Sequence, residues 1–238
     1  MVVHTMQAFD ADLQDLVKKI AEMGRLDDQQ IADAAEALLE RDTALAQRVI
    51  SADDRVDALQ RDIETKAIAT IARRQPMAVD LREIVGALRI CNDLERVGDL
   101  AENIAKRVML LTDEQSFIRE VVLQLERMVH LARDQLSRVL QSYERRDVTQ
   151  ALEVWRKDLE IDALNTSLYR ETLTYMMEDP RWIGFCTHML FCAKNIERIG
   201  DHATNIAETV YYIVEGRELP AERPKADITS KEALPKLL

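Results

Sequence analysis

Residues 94–107 read LERVGDLAENIAKR, and residues 196–209 read IERIGDHATNIAET. Eight of the fourteen positions are identical, Glu95/Glu197, Gly98/Gly200, Asp99/Asp201 and Asn103/Asn205 among them. A second pair of blocks precedes these: residues 41–60 match residues 146–165 at an offset of 105, with eight identities in twenty. Within it Asp53 falls on Asp158 and Asp57 on Asp162, and Pro76 and Pro180 separate the two blocks in each half. Similar composition could mimic one such match. Two blocks in the same order indicate a duplication with a period of about 102–105 residues.

Periodicity assigns the element type. Leu45, Val49, Ala52, Val56, Leu59 and Ile63 recur at alternating spacings of four and three, one stripe of a helix over about 42–75. Pro76 opens a new element, because proline interrupts a helix interior. Ile84, Leu88, Cys91, Leu94, Ala101, Ile104 and Val108 continue the pattern over about 78–111. Residues 6–40 are helical in pattern, with Gly24 and Asp27 as a possible break. The second half repeats the order over about 113–144, 147–179 and 180–215, closed by Gly216. Each long helix would run roughly 45 Å at 1.5 Å per residue. The spacing therefore predicts an all-α fold of six long helices, two tandem three-helix bundles related by internal duplication. The expected boundaries are 1–112 for the first repeat, 113–216 for the second, and 217–238 for a polar, proline-containing tail expected to be poorly ordered.

Composition excludes the competing classes. Six Gly and five Pro in 238 residues leave too few turns for a sandwich or barrel. Neither GxGxxG nor GxxxxGK[ST] occurs, which removes the usual nucleotide folds. The net charge of −11 repels phosphate backbones, and only short Arg pairs such as Arg73–Arg74 and Arg145–Arg146 interrupt it, so no nucleic-acid partner is expected. Cys91, Cys186 and Cys192 are odd in number and sit in apolar helical contexts, fitting a reduced compartment better than a disulfide framework. No basic-then-apolar leader opens the chain and no apolar run approaches 18 residues, so a cytoplasmic protein is expected.

Candidate chemistry lies beside the apolar stripes. Glu95 and Asp99 share one helix face, extended by Asn92 and Asn103; Glu197, Asp201 and Asn205 form the matching face. Asp53 with Asp57, and Asp158 with Asp162, repeat the arrangement on the preceding helix. Facing stripes would gather four carboxylates per half, and oxygen donors suit hard cations such as Mg²⁺, Mn²⁺ or Ca²⁺, and also iron. Chance alone supplies roughly eight acidic i,i+4 pairs at this acid content, most of them on solvated helix faces. Spacing by itself leaves both readings open, a cation site or a charged surface. His202 follows Asp201 and could supply a nitrogen ligand, but Leu100 stands at the matching place; His4 and His130 have no partner pattern. His188, among Phe185, Met189 and Cys192, reads as a core or boundary residue. Paired ExxH motifs, a GxSxG elbow and an HExxH helix are all missing, which lowers the prospects of a di-metal oxidase or a hydrolase.

The paired ERVGD and ERIGDHATNIAE segments, each after a helix carrying DxxxD, resemble the PhoU family, as does QPMAVDLREIVGALRICNDLERVGD before the first motif. The likeness extends to about Gly216. It implies a non-catalytic regulator of phosphate uptake, working with the PstB ATPase of the Pst transporter and the PhoR sensor kinase to repress the phosphate-starvation response. It also implies a homodimer, membrane association only through those partners, and divalent or trivalent metal ions (Mg, Mn, Zn or Fe). The implied metal ligands are Asp53, Asp57, Glu95, Asp99, Asp158, Asp162, Glu197 and Asp201. Leu100 departs from the histidine the family often carries there, so the first site is expected to differ in affinity or metal preference. The alternative class is a metal-dependent enzyme, an oxidase or phosphohydrolase, built on the same carboxylates.

Overall fold

The computed structural model describes residues 2–111, 118–157 and 159–219, with side chains described from residue 9 onward. Among the described residues the regular elements are all helical: α1 (Val2–Glu40), α2 (Thr43–Arg74), α3 (Val79–Val108), α4 (Arg119–Arg145), α5 (Val148–Lys157), α6 (Leu159–Glu178) and α7 (Ile183–Glu215). Residue 158, between α5 and α6, lies outside the described residues, as do 112–117 and the tail from 220 on. The start expected at 113, the repeat boundary at 112/113 and most of the expected tail fall there.

The two α1–α2 and α4–α5 corners are the same turn written twice. Arg41 and Arg146 both take φ 55, in the left-handed region. The next N–H then reaches back five residues, Asp42 to the Ala37 carbonyl at 3.0 Å and Asp147 to the Ser142 carbonyl at 2.9 Å. That bond closes a helix C-terminus in the Schellman manner. The same aspartates cap the following helices: Asp42 accepts from the Leu45 N–H at 2.9 Å and Asp147 from the Gln150 N–H at 3.1 Å. An Arg-Asp pair thus ends one helix and starts the next in both halves. The proline corners differ. Gln75 ends α2 with φ 47, whereas Asp179 caps a single 3₁₀ turn, Pro180–Trp182, before α7 begins. The helix expected to start at Pro180 is therefore preceded by one tighter turn.

Helix α1 is continuous through Gly24 and Asp27, against the expected break. One interior glycine costs a helix only about 1 kcal/mol, less than the packing it permits here. A Cβ at Gly24 would overlap the tip of Leu140 in α4, and one at Gly86 would overlap Ile213 in α7. Neither glycine has a repeat partner, and both stand where one half meets the other.

Helices α1, α2 and α3 pack together, as do α4, α5, α6 and α7, and the two groups join along α3–α7 and α1–α4. The α3–α7 seam is antiparallel: Gly86 faces Ile213, Asp93 reaches His202, and the Arg107 guanidinium lies 4.2 Å from the Phe191 ring centroid. Across α1–α4, Arg133 donates to both carboxylate oxygens of Asp28, at 2.8 and 2.9 Å. These residues are themselves 105 apart, the repeat offset. Equivalent positions meet each other only near a two-fold axis, so this bidentate pair locates the pseudo-dyad. Cys91, Cys186 and Cys192 are buried free thiols, and no described helix is long and apolar enough to cross a membrane.

Gly86→Ala places its methyl 2.5 Å from Ile213 Cγ1 and closer still to Cδ1, so a neighbour must move. Overpacking of about 1–3 kcal/mol outweighs the helix propensity gained, and the variant is expected to unfold at lower urea. Combining it with Ile213→Ala should cost less than the sum of the two single changes. Additivity would mean the seam is not closed at Gly86.

Candidate functional site

The buried face of α2 runs Leu45, Ala46, Val49, then Val56, Ile63, Ala67 and Thr70. Ala52, expected in that stripe, is exposed. The gap is filled by Asp53, whose Oδ1 lies 3.1 Å from where a Cβ on Gly98 would stand; Gln30 Oε1 of α1 lies 3.3 Å from the same point. A glycine at 98 therefore leaves room for polar side chains from two other helices against the α3 backbone.

Around Asp53, acids of α2 and α3 lie close enough to act on one another. Burial, then Glu102, Asp57 and Asp99, push the Asp53 carboxyl up to about 6. Glu95 is also raised, first by burial, then by Asp99, with Asp57 and Glu64 adding to it. Arginines hold part of the cluster. Arg96 donates to Asp99 at 2.8 Å and lies 3.3 Å from Glu95, while Arg61 lies 3.5 Å from Asp57. Asn92 belongs to the same seam, accepting from Gln60 of α2 at 3.4 Å.

The sequence reading missed Glu64, Glu102 and, above all, Asp27. Asp27 is fully buried on α1, and no described donor reaches either carboxylate oxygen; the Gln30 amide one turn on is in the same condition. Burial raises the Asp27 carboxyl well above its ordinary range, and Asp53 is the charge that adds most. The signal was available: Ile20, Met23, Asp27, Ile31, Ala34 and Leu38 form one helical stripe with a single acid in it.

In the second half Asp162 and Glu197 are only 2% and 4% exposed, deeper than their first-half counterparts. Lys194 lies 2.8 Å from Glu197. Asp201 is half-buried, and Asp158 lies outside the described residues. Asn205, expected beside Glu197 and Asp201, points across the seam and donates to Asp93 of α3 at 3.3 Å. His202 does the same, its Nδ1 2.9 Å from Asp93 Oδ1. The histidine considered as a metal ligand thus joins the two halves. His188 sits at the core boundary as expected, held below its ordinary range by burial and by Arg107.

Among the described residues no three His, Cys, Asp or Glu side chains converge tightly enough to hold a metal ion as they stand. The first half does gather unsatisfied oxygen chemistry. Its donors are all oxygens, two of its buried polar side chains lack partners, and its carboxylates repel one another.

The description PhoU domain matches twice, over residues 20–108 and 125–210. The phosphate-specific transport system accessory protein PhoU homolog of Rhizobium meliloti (strain 1021) is 56% identical over 227 residues, 95% of each chain. The homolog of the same name from Caulobacter vibrioides (strain NA1000 / CB15N) is 46% identical over 231 residues, 97% of this chain and 100% of that one. The crystal structure of PhoU from Pseudomonas aeruginosa superposes with a TM-score of 0.84 at 37% identity, covering 88% of this chain and 100% of that chain. The phosphate transport system regulatory protein PhoU from Streptococcus pneumoniae gives 0.82 at 28% identity, covering 89% and 99%.

The raised Asp53 carboxyl has a stability consequence. Its pKa is near 6 folded and about 4 unfolded, so its unfavourable contribution grows as pH rises from 4 through 6 and is complete above. Asp53→Asn should therefore gain more thermal stability relative to wild type at pH 7.5 than at pH 4, in metal-free buffer. A difference that stays flat across that range would put the carboxyl in an ordinary solvated setting.

Proposed function

The chain belongs to the PhoU family, and on that premise we propose that it is an accessory regulator of phosphate-specific transport, acting without turnover as a metal-binding adaptor. The observation that carries this reading is the near full-length match to relatives named as accessory proteins of that system. In this reading it works in the cytoplasm as a homodimer. It contacts the PstB ATPase of the transporter and the PhoR sensor kinase, and it represses the phosphate-starvation response when phosphate is ample. Membrane association would come only through those partners.

The physics supports an adaptor. Two helical bundles locked along α3–α7 and α1–α4 present long, stiff faces, and such a platform changes a partner's state by binding its two conformations unequally. The carboxylates Asp53, Asp57, Glu95 and Asp99 would hold a cation in the first half, and Asp158, Asp162, Glu197 and Asp201 in the second. A bound cation would supply positive charge that relieves the repulsion between α2 and α3. Arg96, now on Glu95 and Asp99, would then be free to turn to solvent.

Elemental analysis of the purified protein tests the sites. Metal content should fall in Glu95→Ala/Asp99→Ala and in Glu197→Ala/Asp201→Ala; unchanged content in both would sink the assignment. Deleting the gene tests the role. Alkaline phosphatase expression should rise in ample phosphate, and no change would favour the alternative, a metal-dependent oxidase or phosphohydrolase.

A further inference from the structure

The two proline corners expose the same apolar positions in both halves. Carried past the matched blocks, the offset of 105 places Ile63 and Ala67 on Leu168 and Thr172 of α6, and all four are buried. One residue on, Ile68 falls on Leu173, and both are exposed. At the offset of 102 that matches α3 to α7, Ile84 and Ala87 fall on Cys186 and Met189, again all buried. Leu81 falls on Ile183, and both are exposed. Each corner then adds a methionine, Met77 just after Pro76 and Met177 three residues before Pro180. At 80% and 85% exposure, these two are the most exposed large hydrophobic side chains among the described residues.

Single hydrophobic residues scattered over a surface need no explanation, but this set is not scattered. The register that repeats the core also repeats exposed apolar positions that the core does not use. Both corners are held in shape as well. Gln75 and Ala78 take φ 47 and 50, left-handed values for non-glycine residues on either side of Pro76 and Met77. At the other corner Asp179 accepts from the Arg181 N–H at 2.9 Å and from its guanidinium at 2.6 Å. A methionine on a fixed backbone is an adaptable anchor for an apolar cleft, offered with little ordering left to do.

The placement of the corners says what kind of partner they fit. Because α3 and α7 run antiparallel, the corner that begins α3 and the corner that begins α7 stand at opposite ends of the seam. The 30 residues of α3 put them roughly 45 Å apart at 1.5 Å per residue. The pseudo-dyad at Asp28–Arg133 relates them. A single apolar cleft takes one corner only, whereas two equal clefts about a two-fold axis take both at once. A second copy of this chain fits less well: one corner paired with itself leaves the other bare, and different corners paired end to end run on instead of closing. A lipid surface fits less well too, since Glu178 and Asp179 bring carboxylates to the second corner, which anionic headgroups repel. We propose that the proline corners are a matched pair of docking points, one for each subunit of a two-fold symmetric protein partner, each seating its methionine in an apolar cleft. This rests on the adaptor reading above and names the surface the adaptor uses. Double attachment raises affinity beyond that of either contact, and it makes binding sensitive to how the two partner subunits sit relative to each other.

The purified PstB ATPase is the probe. Its binding is followed by isothermal titration on the full chain, on Met77→Glu, on Met177→Glu and on the double variant. His130→Glu, an exposed position near the middle of α4, controls for added charge. Wild type should take two ATPase subunits per chain. Each single corner variant should lose affinity by about a hundredfold as attachment falls to one point, and the double variant should not bind. His130→Glu should bind as wild type does, and every variant should unfold at the wild-type temperature. Loss confined to one corner, equal loss in His130→Glu, or one subunit bound per chain overturns the two-fold docking. Normal binding by the double variant overturns the docking surface and leaves the adaptor reading standing, whereas a wild type that binds no ATPase brings down both. The double variant can also keep the ATPase while losing self-association, affinity for phosphatidylglycerol vesicles, or thermal stability. Those results assign the corners to a second copy, to lipid, or to this chain's own packing, and each overturns the proposal.

Discussion

The structure depends on two helices that have almost no free face. Helix α3 is packed by α1 and α2 from its own half and by α7 from the other, and α7 is packed by α4, α5, α6 and α3. A helix surrounded on three sides brings backbones close and must carry small residues where they cross. The buried positions answer to that: Gly86, Ala87, Gly98, Ala101 and Ala105 on α3, and Ala193, Gly200, Ala203 and Ala207 on α7. What remains of each helix is a narrow polar edge, and both acidic motifs lie along it. The position of the acids follows from the crowding of the other faces.

Crowding also explains why the acids behave unlike solvated ones. Asp53 takes a core-facing place on α2 and lies against Gly98, so its environment combines burial with three neighbouring carboxylates. Arg96 and Arg61 reach from the solvent side to Glu95, Asp99 and Asp57 but leave the inner layer unpaired. The first half is therefore graded: arginine-paired acids outside, an elevated Asp53 between, and Asp27 and Gln30 within. A charged rim alone would not need that inner layer. Its presence sets this seam apart from an ordinary salt-bridged helix surface.

Helix order and both Arg-Asp corner positions were legible because each rests on a local rule. The Arg-Asp pairs at 41–42 and 146–147 end one helix and cap the next with backbone geometry that two residues determine. The facing of α2 and α3 was legible because two i,i+4 pairs in the same order imply a shared seam. Where the reading failed, a contact between halves was at work. Gly24 read as a break because its role is to admit Leu140, more than a hundred residues away. His202 and Asn205 read as members of the second motif because adjacency in sequence hid that both turn to Asp93.

Asp27 marks the limit of repeat-based reading most sharply. Aligning the halves selects residues that occur twice, so it finds Asp53, Asp57, Glu95 and Asp99 and passes over an acid whose counterpart is Ala132. A duplicated fold, however, frees one copy to change while the other keeps the shared task. The single acid in the α1 stripe is such a change, and burial makes it costly enough that packing alone does not account for it. The Asp28–Arg133 pair next to it points the same way: an acid and a base at equivalent positions satisfy each other only because the halves have diverged in charge there. Along α1 and α4 the duplication has therefore been used asymmetrically, with one neighbouring pair of positions joining the halves and setting their polar interiors apart.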